Sequence, residues 1–241
     1  RSAPGELVCA RTAEEVRAAQ ASGQLAGLRG VEGGHALEGK IENLEAFARR
    51  GVRYLGLLHF SRSTLGFPAQ GVGRDHHRGL LPFGVEVVDA GARLGVLVDL
   101  AHVNRKGFFD AVARRPGPLL VSHTGVAGVR AHWRNIDDDQ IRAVADSGGA
   151  IGIIFAPMYI GGHLEAVVDH LLHVIRIGGE DAVALGSDWD GFIRPCRELQ
   201  SPAELPHLTE ALLRRGVAPK TIHKLLGGNV LRVLEAAPPR T

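Results

Sequence analysis

The sequence predicts an α/β fold of the TIM-type (β/α) barrel kind, and three observations carry that expectation. Short apolar runs alternate with amphipathic segments along the 241 residues. The runs are apolar almost throughout, as strands covered on both faces must be. No Gly-x-Gly-x-x-Gly turn joins a run to the segment after it, which favours a barrel over a dinucleotide-binding sheet.

The elements follow in order. Residues 12–24 (TAEEVRAAQASGQ) read as a helix opened by Thr12 with Glu15 three residues on, the signature of a capping box. The first strand is 25–34 (LAGLRGVEGG), followed by a helix at 40–51 and a strand at 53–60 (RYLGLLHF). A helix at 83–95 leads into the strand 95–103 (GVLVDLAHV), and a further strand covers 118–125 (PLLVSHTG). The helix 137–149 precedes the strand 149–157 (GAIGIIFAP), and the helix 164–179 precedes the strand 182–191 (AVALGSDWDG). Several of these helices run into glycine, the residue that a left-handed C-cap favours. Six strands are read where a closed barrel needs eight, so the expectation is an incomplete barrel without its first two strands. No linker or low-complexity segment divides the chain, so residues 1–241 are read as a single barrel domain. The closing APPRT reads as a frayed end.

Composition narrows the function classes. With 45% hydrophobic residues and a formal net charge of +2, the chain has material for a sizeable core and no basic block for nucleic acid or a membrane surface. No apolar stretch is long enough to span a bilayer and no signal-peptide pattern is present. Cys9 and Cys196 are too few and too far apart for a disulfide framework or a thiolate metal site, and lean toward a reducing, cytoplasmic setting. The chain begins at Arg1 and not at methionine, and is read as a processed product or as part of a longer chain.

The strand ends carry the chemistry. They finish on Glu32, His59, His102, His123, the apolar FAP and Asp188. In a parallel barrel these ends converge on one mouth, where active sites are built. With twelve histidines in the chain, chance places one there readily, but five of six ends form a pattern. Imidazole nitrogen and carboxylate oxygen are the ligand set of zinc and related divalent ions, and a carboxylate can bridge two metals.

The segments GVEGGHALEG, YLGLLHFSRS, GLLPFGVEVVDAGARLGVLVDLAHV, LLVSHTG, HWRNIDDDQIRAVADSGGAIGIIFAP and VALGSDWDGF resemble, in order and spacing, the membrane (renal-type) dipeptidase family of the metal-dependent amidohydrolase barrels. The resemblance runs from about Leu7 to Ala237. It implies hydrolysis of dipeptides at two zinc ions. Glu32 then matches the glutamate that bridges the ions, and His102 and His123 match the histidines of the second zinc. Asp188 matches the acid/base at the water, Arg134 the arginine that pairs with the free carboxylate of the dipeptide, and His59 a histidine that contacts the scissile group. The expected partner is a small dipeptide, with self-association into a homo-oligomer as a further expectation.

The family's first strand carries a His-x-Asp pair for the first zinc, and no His-x-Asp occurs in these 241 residues. The expectation is therefore at most one firmly bound zinc per chain. Two other readings stand beside the dipeptidase: a catalytically degenerate relative that binds without turnover, and a barrel hydrolase of other specificity such as a lactonase or deacylase. Other candidates are weighed as structural. His170 and His173 in DHLLH have a spacing that can bind metal but sit in an amphipathic helix. Asp75, His76 and His77 read as a polar loop, Arg130 as the rival of Arg134, and Asp99 and Asp190 as supports for the ligands.

Overall fold

The computed structural model describes residues 5–114 and 117–239. Their packing divides the chain into two compact units, residues 1–119 with 231–241 and residues 120–230. Arg240 and Thr241 of the APPRT tail lie outside the described residues.

In the first unit four strands run parallel in sequence order: β1 (Leu7–Ala10), β2 (Leu25–Glu32), β3 (Val52–Gly56) and β4 (Leu97–Asp99). Register is set by pairs such as Cys9 with Gly27, Glu32 with Gly56, and Gly56 with Asp99. The connections are helical: α1 (Ala13–Ala21), α2 (Ile41–Arg49) and α3 (Pro82–Leu94), with α4 (Arg105–Ala113) after β4. The capping box forms as the sequence predicts. The Glu15 N–H donates to Thr12 Oγ1 at 3.1 Å and Glu15 Oε2 accepts the Thr12 N–H at 3.3 Å. α3 ends on Gly95 in the left-handed region, with φ 69°.

β1 is a strand that the sequence reading lacks. Its four residues, LVCA, are too short for a periodic signal, and only Ala10 is buried. Among the described residues, the first unit thus holds four strands and the second holds three.

Arg53, at the start of β3, is almost wholly buried, and its guanidinium donates to the carbonyls of Gly95 and Ala237. It ties the C-cap of α3 to the C-terminal segment, which Arg17 also holds through Glu235 at 2.6 Å.

The second unit has three parallel strands, β5 (Leu120–Thr124), β6 (Ala150–Ile153) and β7 (Val183–Leu185). All four residues of β6 are buried, as an apolar run between helices requires. α5 (Asp138–Asp146) opens with a capping box of Asp137 and Gln140. A short turn, α6 (Pro157–Ile160), precedes α7 (Leu164–Gly178), and α8 (Leu205–Arg214) and α9 (Pro219–His223) follow β7. α10 (Asn229–Ala236) closes the chain. Among the described residues no helix is long and apolar enough to cross a membrane.

Candidate functional site

Three consecutive strands of the first unit deliver their ends to one point. Glu32 is the last residue of β2, His59 follows β3 by three residues, and His102 follows β4 by three. His102 Nε2 lies 3.0 Å from Glu32 Oε1, and His59 Nε2 lies 3.8 Å from the same oxygen. Among the described residues, these are the three His, Cys, Asp or Glu residues whose ligand atoms converge to within 4.8 Å of one another.

The backbone is shaped around this cluster. Asp99, buried at the end of β4, accepts the Ala101 N–H at 3.0 Å and so fixes the turn that carries His102. His102 itself is buried and left-handed, with φ 66°, a region that costs a non-glycine residue energy and that recurs at functional positions. Its carbonyl accepts the Ala69 N–H at 2.7 Å, and its ring is wedged edge-on against His59 and Phe60. By contrast, His59 is 40% and Glu32 42% exposed, so the cluster has one buried anchor and an open side.

That donor set fits a divalent metal ion. Two imidazole nitrogens and a carboxylate oxygen are borderline ligands of the kind that zinc takes, and three protein ligands with an open side are the pattern of a catalytic centre. Tyr54 on β3 feels the same charges. Burial first, then Asp99 and Glu32, raise its phenol above the ordinary value.

The second unit holds the other predicted residues. His123 lies buried in β5, its Nδ1 2.8 Å from Ser122 Oγ. Arg134 stands on the loop after β5 and is only 3% exposed. Its Nη2 donates to the His123 carbonyl at 2.7 Å, so the guanidinium is set against the strand that carries His123. Asp188 follows β7 in a left-handed conformation, φ 61°, and its carbonyl accepts the Gly191 N–H at 3.0 Å. Tyr159 on α6 was not foreseen, because the end of β6 reads in sequence as the apolar FAP. Its phenol is raised by burial, lowered by Arg134 and raised by Asp188, so both charges act on it. His132, 5.1 Å from the Tyr159 ring, is pushed down by burial and by Arg130 and Arg134.

The remaining candidates are held structurally. Asp75 accepts the His77 N–H at 2.9 Å, and Asn104 Nδ2 donates to the carbonyls of Asp75 and Arg78. Asp75, His76 and His77 form no three-donor group. His170 and His173 are buried on α7 and bond to neighbouring elements.

The family model of the membrane dipeptidases (peptidase family M19) matches residues 1–239. The chain belongs to the membrane dipeptidase family. Dipeptidase tcpJ of Claviceps purpurea is 35% identical over 230 residues, which are 93% of this chain and 54% of that protein. The chain thus spans about half the length of this curated relative. A metallo peptidase from Rhodobacter sphaeroides, solved with a phosphinate mimic of the dipeptide L-Ala-D-Ala, superposes with a TM-score of 0.89 at 29% identity. That match covers 97% of this chain and 70% of the other. The dipeptidase AC, a metallo peptidase of family M19, gives the same TM-score and identity, with 97% of this chain and 72% of the other covered. The barrel-type α/β fold and the metallopeptidase family expected from the sequence are both met.

Proposed function

We propose that this chain is a zinc-dependent dipeptidase that cleaves dipeptides bearing a free C-terminal carboxylate. The observation that carries the reading is the shared Glu32 oxygen, with His102 and His59 converging on it from neighbouring strand ends. Membership of the membrane dipeptidase family, and a neighbour solved with a dipeptide mimic, support the substrate class. The family match along residues 1–239 supports one hydrolase domain.

In this reading Glu32 and His102 would hold the ion, with His123 as the further ligand that the family resemblance implies. A bound divalent cation supplies Lewis acidity and lowers the pKa of water. The chain's own groups do the rest. Asp188 accepts the proton of the attacking water at a carboxylate oxygen and returns it to the leaving amine. His59, half-exposed beside Glu32, donates a hydrogen bond to the oxyanion as the carbonyl becomes tetrahedral. Arg134 offers the planar guanidinium fork that matches a carboxylate. Tyr159, on which both Arg134 and Asp188 act, adds a neutral phenol O–H that can orient substrate beside them.

A second reading is a relative that binds one ion without turnover. The two free cysteines, one exposed and one buried, support a reducing compartment. Exposed Leu7 and Leu25 on β1 and β2 support self-association. One experiment separates the readings: metal per purified chain, a dipeptide panel, and the same assays on Asp188→Asn. Turnover that Asp188→Asn abolishes with metal content unchanged supports the dipeptidase. Metal binding with no hydrolysis of any dipeptide supports the binding-only relative.

A further inference from the structure

The DHLLH histidines of α7 bracket the loop on which Arg134 stands. His170 is fully buried, and its two ring nitrogens face one backbone donor and one backbone acceptor. The Val126 N–H donates to Nδ1 at 2.9 Å, and Nε2 lies 3.2 Å from the Ile160 carbonyl. A backbone N–H can only donate and a carbonyl can only accept, so the proton sits on Nε2 and the ring is neutral. His173, one helical turn on, takes an N–H from Arg176 at Nδ1 (2.7 Å) and presents Nε2 to Asp138 Oδ1 at 2.6 Å. Val126 opens the Arg134 loop and Asp138 follows its close, at the first residue of α5. Between them Gly128 rides on the His173 ring, where an added Cβ would stand 2.2 Å from a ring carbon.

The loop is further closed on itself. Val126 and Ile136 form a bridge, with the Ala127 N–H donating to Ile136 at 2.8 Å and the Ile136 N–H to Gly125 at 3.1 Å. Asn135 Nδ2 donates to the carbonyls of Arg130 and Tyr159, both at 2.9 Å. Thr124 Oγ1 donates to the Arg134 carbonyl at 3.2 Å. A helix that packed only by its apolar stripe would place aliphatic residues at 170 and 173. Two buried imidazoles that each satisfy a named group on the loop or beside it serve a more specific end.

We propose that His170 and His173 are positioning residues for carboxylate recognition: they seat the 125–136 loop so that the Arg134 guanidinium is presented in one fixed place. The inference rests on the reading of Arg134 as the carboxylate-binding residue. It adds that specificity for a free carboxylate is set in part from α7, by side chains that do not touch the substrate. A loop held at both ends loses little freedom on binding, and that preorganisation is what the carboxylate contact gains from.

The test uses the full chain with its metal, in wild-type, Arg134→Ala, His170→Leu and His170→Asn forms. The probes are a phosphinate dipeptide mimic with a free carboxylate and its C-terminal amide, and hydrogen exchange of the 126–136 amides is followed alongside. His170→Leu should expose the Val126 amide to exchange and weaken the carboxylate probe about tenfold, the scale of one lost buried hydrogen bond, while the amide probe changes less than twofold. His170→Asn, whose Oδ1 can accept from Val126, should recover most of both effects. If His170→Leu does not fold, Gly128→Ala, which pushes the loop off the His173 ring, carries the same comparison. Equal weakening of both probes, or full carboxylate preference after the loop is released, overturns the inference alone. A carboxylate preference unchanged in Arg134→Ala, or absent in the wild type, overturns the reading of Arg134 and this inference with it.

Discussion

Replacing His102 with alanine should weaken metal binding far more than the same change at His59. A protein zinc site of four ligands is worth about 10–16 kcal/mol, so each ligand carries roughly 3–4 kcal/mol, or about 10²–10³ in affinity. His102 should lose that full amount. It is 4% exposed, wedged between rings and already 3.0 Å from the shared Glu32 oxygen, so its ordering is complete before the ion arrives. His59 is 40% exposed and 3.8 Å away, and in the proposed reading it serves the oxyanion and is not a ligand. Its removal should therefore leave most of the affinity for the ion in place. Titration calorimetry with zinc, or competition with a chromophoric chelator, reads both constants, with circular dichroism to show that each variant is folded. A folded His102→Ala chain that binds zinc as tightly as wild type would refute the reasoning, and so would equal losses at the two positions.

Other outcomes follow from the same geometry. Burial above all, with further lowering by His173 and Arg130 against the raising effects of the Ile160 carbonyl and Asp169, takes His170 from 6.5 to about 4. Its folded pKa is depressed, so the unfolded chain takes up the proton first. Stability should therefore be flat above pH 6.5 and fall between 6.5 and about 4, by about 3 kcal/mol for this group. Denaturation midpoints across that range should show a shallower slope in His170→Asn, and an identical slope would count against the buried neutral ring. Cys9 is exposed, whereas Cys196 is buried with its thiol pushed up to about 11 by desolvation and Glu198, so a thiol reagent should label one of the two in the folded chain and both after unfolding. Gly186→Ala would place a Cβ 2.2 Å from the Ser122 carbonyl and 2.8 Å from the His123 Cα, both backbone atoms that cannot swing aside. It should destabilise the chain by about 1–3 kcal/mol or more in thermal melts.

Much of this was legible in the sequence, for physical reasons that differ from residue to residue. Thr12 and Glu15 announce α1 because a cap is a local contact, complete within four residues. Glu32 and His102, which the structure brings together, stood out because a polar residue that ends an apolar run has few structural reasons to be there. Strand β1 could not, since LVCA has four residues, mostly uncovered, and becomes a strand through pairing with β2. The closeness of His59 to Glu32 depends on the register of β2 against β3, which is set across about twenty residues of intervening chain. Tyr159 was hidden because it lies on a short turn past the end of β6, after the apolar pattern has stopped. DHLLH showed its spacing but not its partners, which arrive from the loop after β5 and from α5.

The left-handed backbone at His102 and Asp188 has a consequence for how such a protein can be improved or can decay. Each conformation costs a residue with a Cβ about 1–2 kcal/mol that glycine escapes. On the proposed reading, in which His102 would hold the ion and Asp188 serves as the base, any selection that rewards only expression or heat resistance has a downhill route through these two codons, toward residues that relax the chain and do neither. Libraries screened by melting temperature should drift away from chemistry there first. The two positions are best frozen before any stabilising campaign begins, and a natural relative found with glycine at both would mark a lineage in which the demand for catalysis had already lapsed.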